Sequence, residues 1–389
     1  MRATYRRSVL MVVLAACVLL GAVGTAWGLP PDPDNAALLY YQGFLSLAGL
    51  DDEARTLIGD VALGKVAPDD KAREAIGQCR GGIAFAEAAA EVPACHWGFQ
   101  FSKGFDALMP QLARARFLAF VLVADARVRA ADGDTRGALE RCLMTDEFAR
   151  HIGDDTLISY LVSIAVRDVG YRCMKDVMGQ ASGDVALLEW LKRELATTSE
   201  GAVTPMRSLK IEREIALSTL RMENAEQYAH LAAPGDEEKQ KAILAQVSEE
   251  MFARARQIYS ECSVEGVDMM GSSMPYAEAH VRLKALADRF DPNDAASGAS
   301  RALAPALGSI LSVKVRSEAY ANAMHAGVEI CLQKARSGKL PATLPAGLPK
   351  DPYSGEDFAY ERTGDGFVLR CRRRDLDKDK LHEFAFPVR

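Results

Sequence analysis

Between Pro93 and Lys103 the chain gathers Cys95, His96, Trp97, Phe99 and Phe101, an irregular stretch where a thiol, an imidazole and large aromatic faces lie side by side. Cysteine and histidine are the side chains that hold zinc or haem iron, so the pair invites a metal reading. Haem attachment would need a second cysteine three residues before Cys95, where Val92 stands, and zinc would need further closely spaced ligands. The plainer reading is a loop pinned to a core by its aromatics. If a small molecule binds, His96, Trp97 and Phe99 are the residues expected to meet it, and an exported enzyme of unrecognised class with a site near residues 93–103 is the alternative to a purely structural role.

Other chemistry-bearing residues are more thinly spread. Glu212, Glu214, Glu223 and Glu226 could supply acid ligands, but no Glu-x-x-His pairing accompanies them, and a solvated face is expected. His325 and Cys331 stand six apart, off a common helical face. Met269, Met270 and Met274 read as gap-filling thioethers in a Gly-Ser loop. The chain shows no serine elbow, no His-Glu-x-x-His and no glycine-rich phosphate loop.

The elements that would position these residues are helices. From about Met109 to Ala131, Leu112, Ala115, Ala119, Leu122 and Ala126 recur at helical steps, and Phe117 to Val123 is apolar all round, which predicts burial on several sides. Gly133-Asp134 breaks this helix and Thr135–His151 resumes it. Past Gly153, Asp154 or Asp155 could cap a third helix. There, rows through Leu157, Leu161 and Ile164 and through Ile158, Val162, Ala165 and Val169 predict cover on two sides. Asp125 with Arg129, and Asp168 with Arg172, are spaced for same-helix ion pairs. Further helices are expected over about 34–48, 51–63, 68–90, from Ser182 or Asp184 to 196, and over 204–231, 236–263, 275–290 and 305–337. The string ARVRAADGDTRGALERCL resembles the helix-turn-helix of tetratricopeptide-type repeats, without a fixed period following it. Seven cysteines follow the leader. With a turn at Gly153, Cys142 and Cys173 are expected to lie roughly 13 Å out of step along their helices.

Arg2, Arg6 and Arg7 precede an apolar run from Val9 to Val23, and Ala26-Trp27-Gly28 offers a cleavage site. Residues 1–28 therefore read as a bacterial export signal. A retained anchor is the first rival, and lipidation at Cys17, in Leu14-Ala15-Ala16-Cys17, is the second. Residues 1–28 carry three arginines and no acid, so their removal would take the formal charge from −6 to −9. No basic stripe interleaved with aromatics points to nucleic acid, and the membrane is engaged only through the N-terminal segment.

After Gly338 the chain changes character. DPYSG at 351–355 is a turn signature, and Phe358–Arg362 and Phe367–Cys371 read as two strands, with Glu383–Val388 as a third. The run LPKDPYSGEDFAYERTGDGFVLRC, with TLISYLVSIA in the helical body, resembles a family of uncharacterised exported bacterial proteins over roughly residues 105–180 and 313–371. The C-terminal run is also similar, over about 25 residues, to the C-terminal sheet of the major pseudopilin of type II secretion. The second resemblance implies a calcium loop after the hairpin, where Asp375, Asp377 and Asp379 alternate; Lys380 stands where an EF-hand-type loop has glycine, and Phe386 where it has its glutamate. Otherwise no cofactor is expected. The fold expected is mainly α, an irregular array of helical hairpins, tetratricopeptide-like in part, with a small β-hairpin module: leader 1–28, helical domain 29–338, module 339–389. The expected role is a helical scaffold of the cell envelope that binds a protein or peptide partner.

Overall fold

The computed structural model describes residues 32–153, 155–181, 183–200, 203–291 and 293–388. The fold is that of the compact unit Asn35–Arg389. The leader, its cleavage site and Cys17 lie outside the described residues. Among those residues no helix is long and apolar enough to cross a membrane.

Four short helices come first: α1 (Ala36–Ser46), α2 (Asp52–Ala62), α3 (Asp70–Gln78) and α4 (Arg80–Ala90). Asn35 caps α1 by accepting from the Ala37 amide, and Asp51 and Asp69 cap α2 and α3 through Ala54 and Ala72. The single helix expected over 68–90 is two, broken at Cys79. Gly82 lies so close to α1 that a Cβ there would sit 2.8 Å from the Leu47 side chain, which fixes the α1–α4 approach.

The central helices are α5 (Pro110–Ala131), α6 (Thr135–Ile152) and α7 (Leu157–Gln180). Leu118, Val121, Leu122, Val123 and Ala126 of α5 are fully buried, and each large apolar side chain so placed stabilises by roughly 1.5–3 kcal/mol. Asp134 caps α6 at the Gly137 amide. Thr156 caps α7 at the Ser159 amide, the role expected of Asp154 or Asp155; Asp154 lies outside the described residues. Asp125 and Arg129 pair at 2.9 Å as their spacing predicts, and Arg141 adds a 2.6 Å contact to the same carboxylate. Asp168 and Arg172 form no such pair among the described residues; Arg167 pairs instead with buried Asp146 of α6. The Cys142 and Cys173 thiols act on each other across α6 and α7, and a Cβ on Gly170 of α7 would lie 3.5 Å from the Cys142 carbonyl of α6. The expected axial offset is therefore wrong: the first turns of α7 overshoot the end of α6, and the pairing centre lies C-terminal of Gly153.

The rest of the body comprises α8 (Val185–Glu200), α9 (Pro205–Thr219), α10 (Ala225–Ala232), α11 (Glu237–Leu244), α12 (Glu249–Gly271), α13 (Tyr276–Leu286), α14 (Ala295–Leu303) and α15 (Leu307–Ser337). The helix expected over 204–231 stops at Leu220 without Gly or Pro. The Leu220 carbonyl is taken by Arg256 at 2.7 Å and that of Ser218 by the Asn224 side-chain carboxamide at 2.9 Å, which satisfies terminal acceptors a further turn would have used. The helix expected over 236–263 restarts at Ser248, whose hydroxyl caps α12 at Met251. Met269 and Met270 close α12 rather than lying in a loop. Ala216, Leu220, Tyr228, Phe252, Tyr259 and Ala299 belong to a second, smaller core under α9–α14.

β1 (Ala359–Thr363), β2 (Gly366–Arg370) and β3 (Glu383–Pro387) form one antiparallel sheet in the order β1-β2-β3, with Tyr360 opposite Leu369 and Phe367 opposite Phe386. Its inward face, Phe358, Phe367, Leu369 and Phe386, is buried in the main core. The Phe386 ring rests on Gly327 of α15, where a Cβ would collide with it. The molecule is thus mainly helical with a small C-terminal sheet.

Candidate binding sites

The aromatic loop is held from three sides. Trp97 is buried, stacks on Tyr40 and Phe44 with centroids 5.7 and 6.1 Å apart, and donates its indole N–H to the His151 carbonyl at 2.8 Å. Tyr41 donates to the Trp97 carbonyl, and Asn35 brackets the His96 backbone through its carboxamide. The His96 side chain is exposed and Phe99 half-buried, so only Trp97 of the three expected ligand contacts belongs to the core. Burial, aided by Asp155, pushes the Cys95 thiol up to about 12, which leaves it protonated and a poor metal ligand at neutral pH.

A second histidine behind this loop escaped the sequence reading. His151 is buried on α6, with its Nδ1 3.0 Å from the Tyr40 hydroxyl and its Nε2 3.2 Å from Arg150 and 3.3 Å from Glu147. Desolvation lowers its pKa to about 4 against the partial opposition of Glu147, so it stays neutral. The spacing of Glu147 and His151 on one helical face was the available signal.

The three alternating acids separate. Asp375 is fully buried and accepts from the Asp377 and Lys378 amides (2.9 and 3.2 Å) and from the Tyr276 and Tyr353 hydroxyls (3.4 and 3.3 Å); His382 lies 3.2 Å away. Burial alone would raise its pKa, but His382 and the two amides outweigh that and hold it below the ordinary value. Asp377 accepts from Ser309 of α15 at 2.9 Å, while Asp379 is exposed and pairs with Arg374. Calcium would have to displace protein donors from Asp375, and no cluster of three metal-ligating side chains occurs among the described residues.

Two apolar surfaces complete the picture. On the first, Leu108, Ile158 and Leu161 are 88, 54 and 39% exposed, so α7 begins uncovered where cover on two sides was expected. Thr156 reaches the Met109 sulfur and the Leu157 amide donates to Glu212 of α9, which brings residues 108–109, the start of α7 and α9 together. Phe101, Ile211 and Ile215 line a shallow groove on α9, with Lys210 on its wall. The second is a half-open cleft of about 290 Å³ between α9, α12, α13 and the start of α15, walled by Leu209, Tyr259, Leu283, Leu286, Phe290 and Leu307. All seven cysteines among the described residues are free thiols.

No family model, curated protein or solved structure matches the chain.

Proposed function

We propose that the chain is a non-catalytic, exported scaffold of the bacterial cell envelope that binds a protein partner through the apolar face at Phe101, Leu108, Ile158 and Leu161. The carrying observation is the exposure of these large apolar side chains on three adjoining segments, because contiguous exposed apolar surface on a folded chain ordinarily marks an interaction site. The groove along Ile211 and Ile215 would take the apolar stripe of an amphipathic helix, with Lys210 beside it for an acidic flank. The leader-like residues 1–28 and the resemblance of residues 105–180 and 313–371 to exported bacterial proteins support the location. The aromatic loop supports the face from behind by fixing Phe101, whose ring packs on Phe99 with centroids 5.8 Å apart.

The test is co-sedimentation from native envelope extract of the full chain and of a Leu108→Asp, Ile158→Glu variant. Wild type is expected in a complex larger than the free chain, and the variant free, with unchanged circular dichroism. A folded variant that stays in the same complex overturns the assignment of the face.

A further inference from the structure

Three contacts between α6 and α7 fall on one register. Asp146 of α6 pairs with Arg167 of α7. A Cβ on Gly170 of α7 would lie 3.2 Å from the Thr145 Cγ2 and 3.5 Å from the Cys142 carbonyl of α6. Finally, the Cys142 and Cys173 thiols act on each other. As the contacts step back along α6 from 146 through 145 to 142, their partners step forward along α7 from 167 through 170 to 173, so the two cysteines face each other in an antiparallel pair. Gly170 stands one turn before Cys173, and its missing side chain lets the two backbones approach closely there. Axes about 8 Å apart, the close end of helix packing, bring directly facing Cα atoms within roughly the 4.4–6.8 Å that a disulfide spans.

Both side chains are completely buried. The Cys142 thiol is raised and the Cys173 thiol lowered, each chiefly by the other, and Arg127 favours the thiolate of both. The other five described cysteines differ. Burial leads the rise at Cys79, Cys95, Cys262, Cys331 and Cys371, and the side chains acting on them are carboxylates, arginines and one lysine.

We propose that Cys142 and Cys173 are an oxidative cross-linking site, closed to a disulfide that staples α6 to α7 by exchange with a dialkyl disulfide such as oxidised glutathione. The Cys173 thiolate attacks the oxidant's disulfide, forming a mixed disulfide and releasing one thiolate. The Cys142 thiolate then attacks the Cys173 sulfur, which closes the bond and releases the second. Two electrons pass to the oxidant, which leaves as two thiols carrying the two protons. A mixed disulfide has no room between packed helices, so the exchange runs while α6 and α7 are apart, during folding or local opening. Neither thiol belongs to the exposed face at Leu108 and Ile158, so this inference and the proposed partner fail independently.

The reduced full chain, refolded from urea in a mixture of reduced and oxidised glutathione, tests it. The exchange is quenched with acid, remaining thiols are alkylated in denaturant, and the peptides are mapped by mass. One dominant linked pair, Cys142 with Cys173, is expected, with the other five thiols alkylated. The closed loop should raise the thermal midpoint by about 5 °C over the reduced chain. Cys142→Ala should show neither the linked pair nor the rise. Because the linked peptide is read on the wild-type chain, the outcome does not depend on whether the variant folds. A statistical mixture of pairings, both thiols alkylated in the refolded wild-type chain, or an oxidised chain no more stable than the reduced one would each overturn the assignment.

Discussion

The aromatic cluster at Tyr40, Trp97 and His151 and the polar node at Asp375 both bury a titratable side chain, yet they hold it in opposite charge states. His151 packs edge-on to Tyr40 and touches the Tyr40 hydroxyl, Glu147 and Arg150, and desolvation, with Arg150 opposing Glu147, keeps it neutral. Asp375 is buried too, but two backbone amides, two tyrosine hydroxyls and His382 converge on it, with Arg316 at 4.0 Å, and keep it ionised. Burial alone does not decide charge; the count of donors aimed at the group does. Neither site leaves its central group an open face: both side chains are buried and already engaged by protein partners.

The largest expected effect that could break this comparison is at Asp375. Asp375→Ala orphans two amides, two hydroxyls and His382, and should cost about 4 kcal/mol in denaturant unfolding. Asp375→Asn keeps an acceptor and should cost about half as much; equal losses would mean that charge is irrelevant there. Trp97→Ala removes three ring contacts and the indole bond to His151 and should cost about 3 kcal/mol. His96→Ala, one residue away and exposed, should stay within about 0.5 kcal/mol.

Acid titration sharpens the contrast further. The folded pKa of His151 lies below its unfolded value, so the unfolded chain takes up its proton first and stability falls as pH drops from 6.5 towards about 4. The loss should approach about 3 kcal/mol, and His151→Asn should flatten that window. Asp375, also depressed in the folded state, contributes fully above its ordinary 3.8 and is lost only below it. The smallest effect is at the loop tip: Asp379→Asn removes one exposed ion pair and should change stability by less than about 0.5 kcal/mol. Millimolar calcium is expected to leave the thermal midpoint unchanged, because Asp375 is already engaged by protein donors.

Local patterns made the long central helices legible. Pro110, Gly133 and the apolar steps of α5 placed that helix almost to the residue, and the alternation of Phe367 and Leu369 placed β2 and its buried face. What escaped was set by tertiary contact. The stop of α9 at Leu220 depends on Arg256, 36 residues away, and the break before α12 rests on a lone serine cap. The apolar spacing of Ile158 and Leu161 is the same whether a helix covers them or not, so periodicity read as core what the fold leaves exposed. The Asp375 node joins Tyr276, Ser312, Tyr353 and His382, residues up to about a hundred positions apart. The alternate spacing of Asp375, Asp377 and Asp379 does not reveal which way each carboxylate faces: Asp375 is buried and Asp379 exposed.

The account turns on function residing at the exposed apolar face and not at the aromatic loop. The most direct measurement places a photo-crosslinking side chain in turn at Leu108, at Ile158 and at His96 in the full chain within its native envelope. Discrete adducts of one size from positions 108 and 158, with none from 96, are the predicted result. An adduct from 96 alone, or none from 108 and 158 in a correctly folded chain, would contradict it.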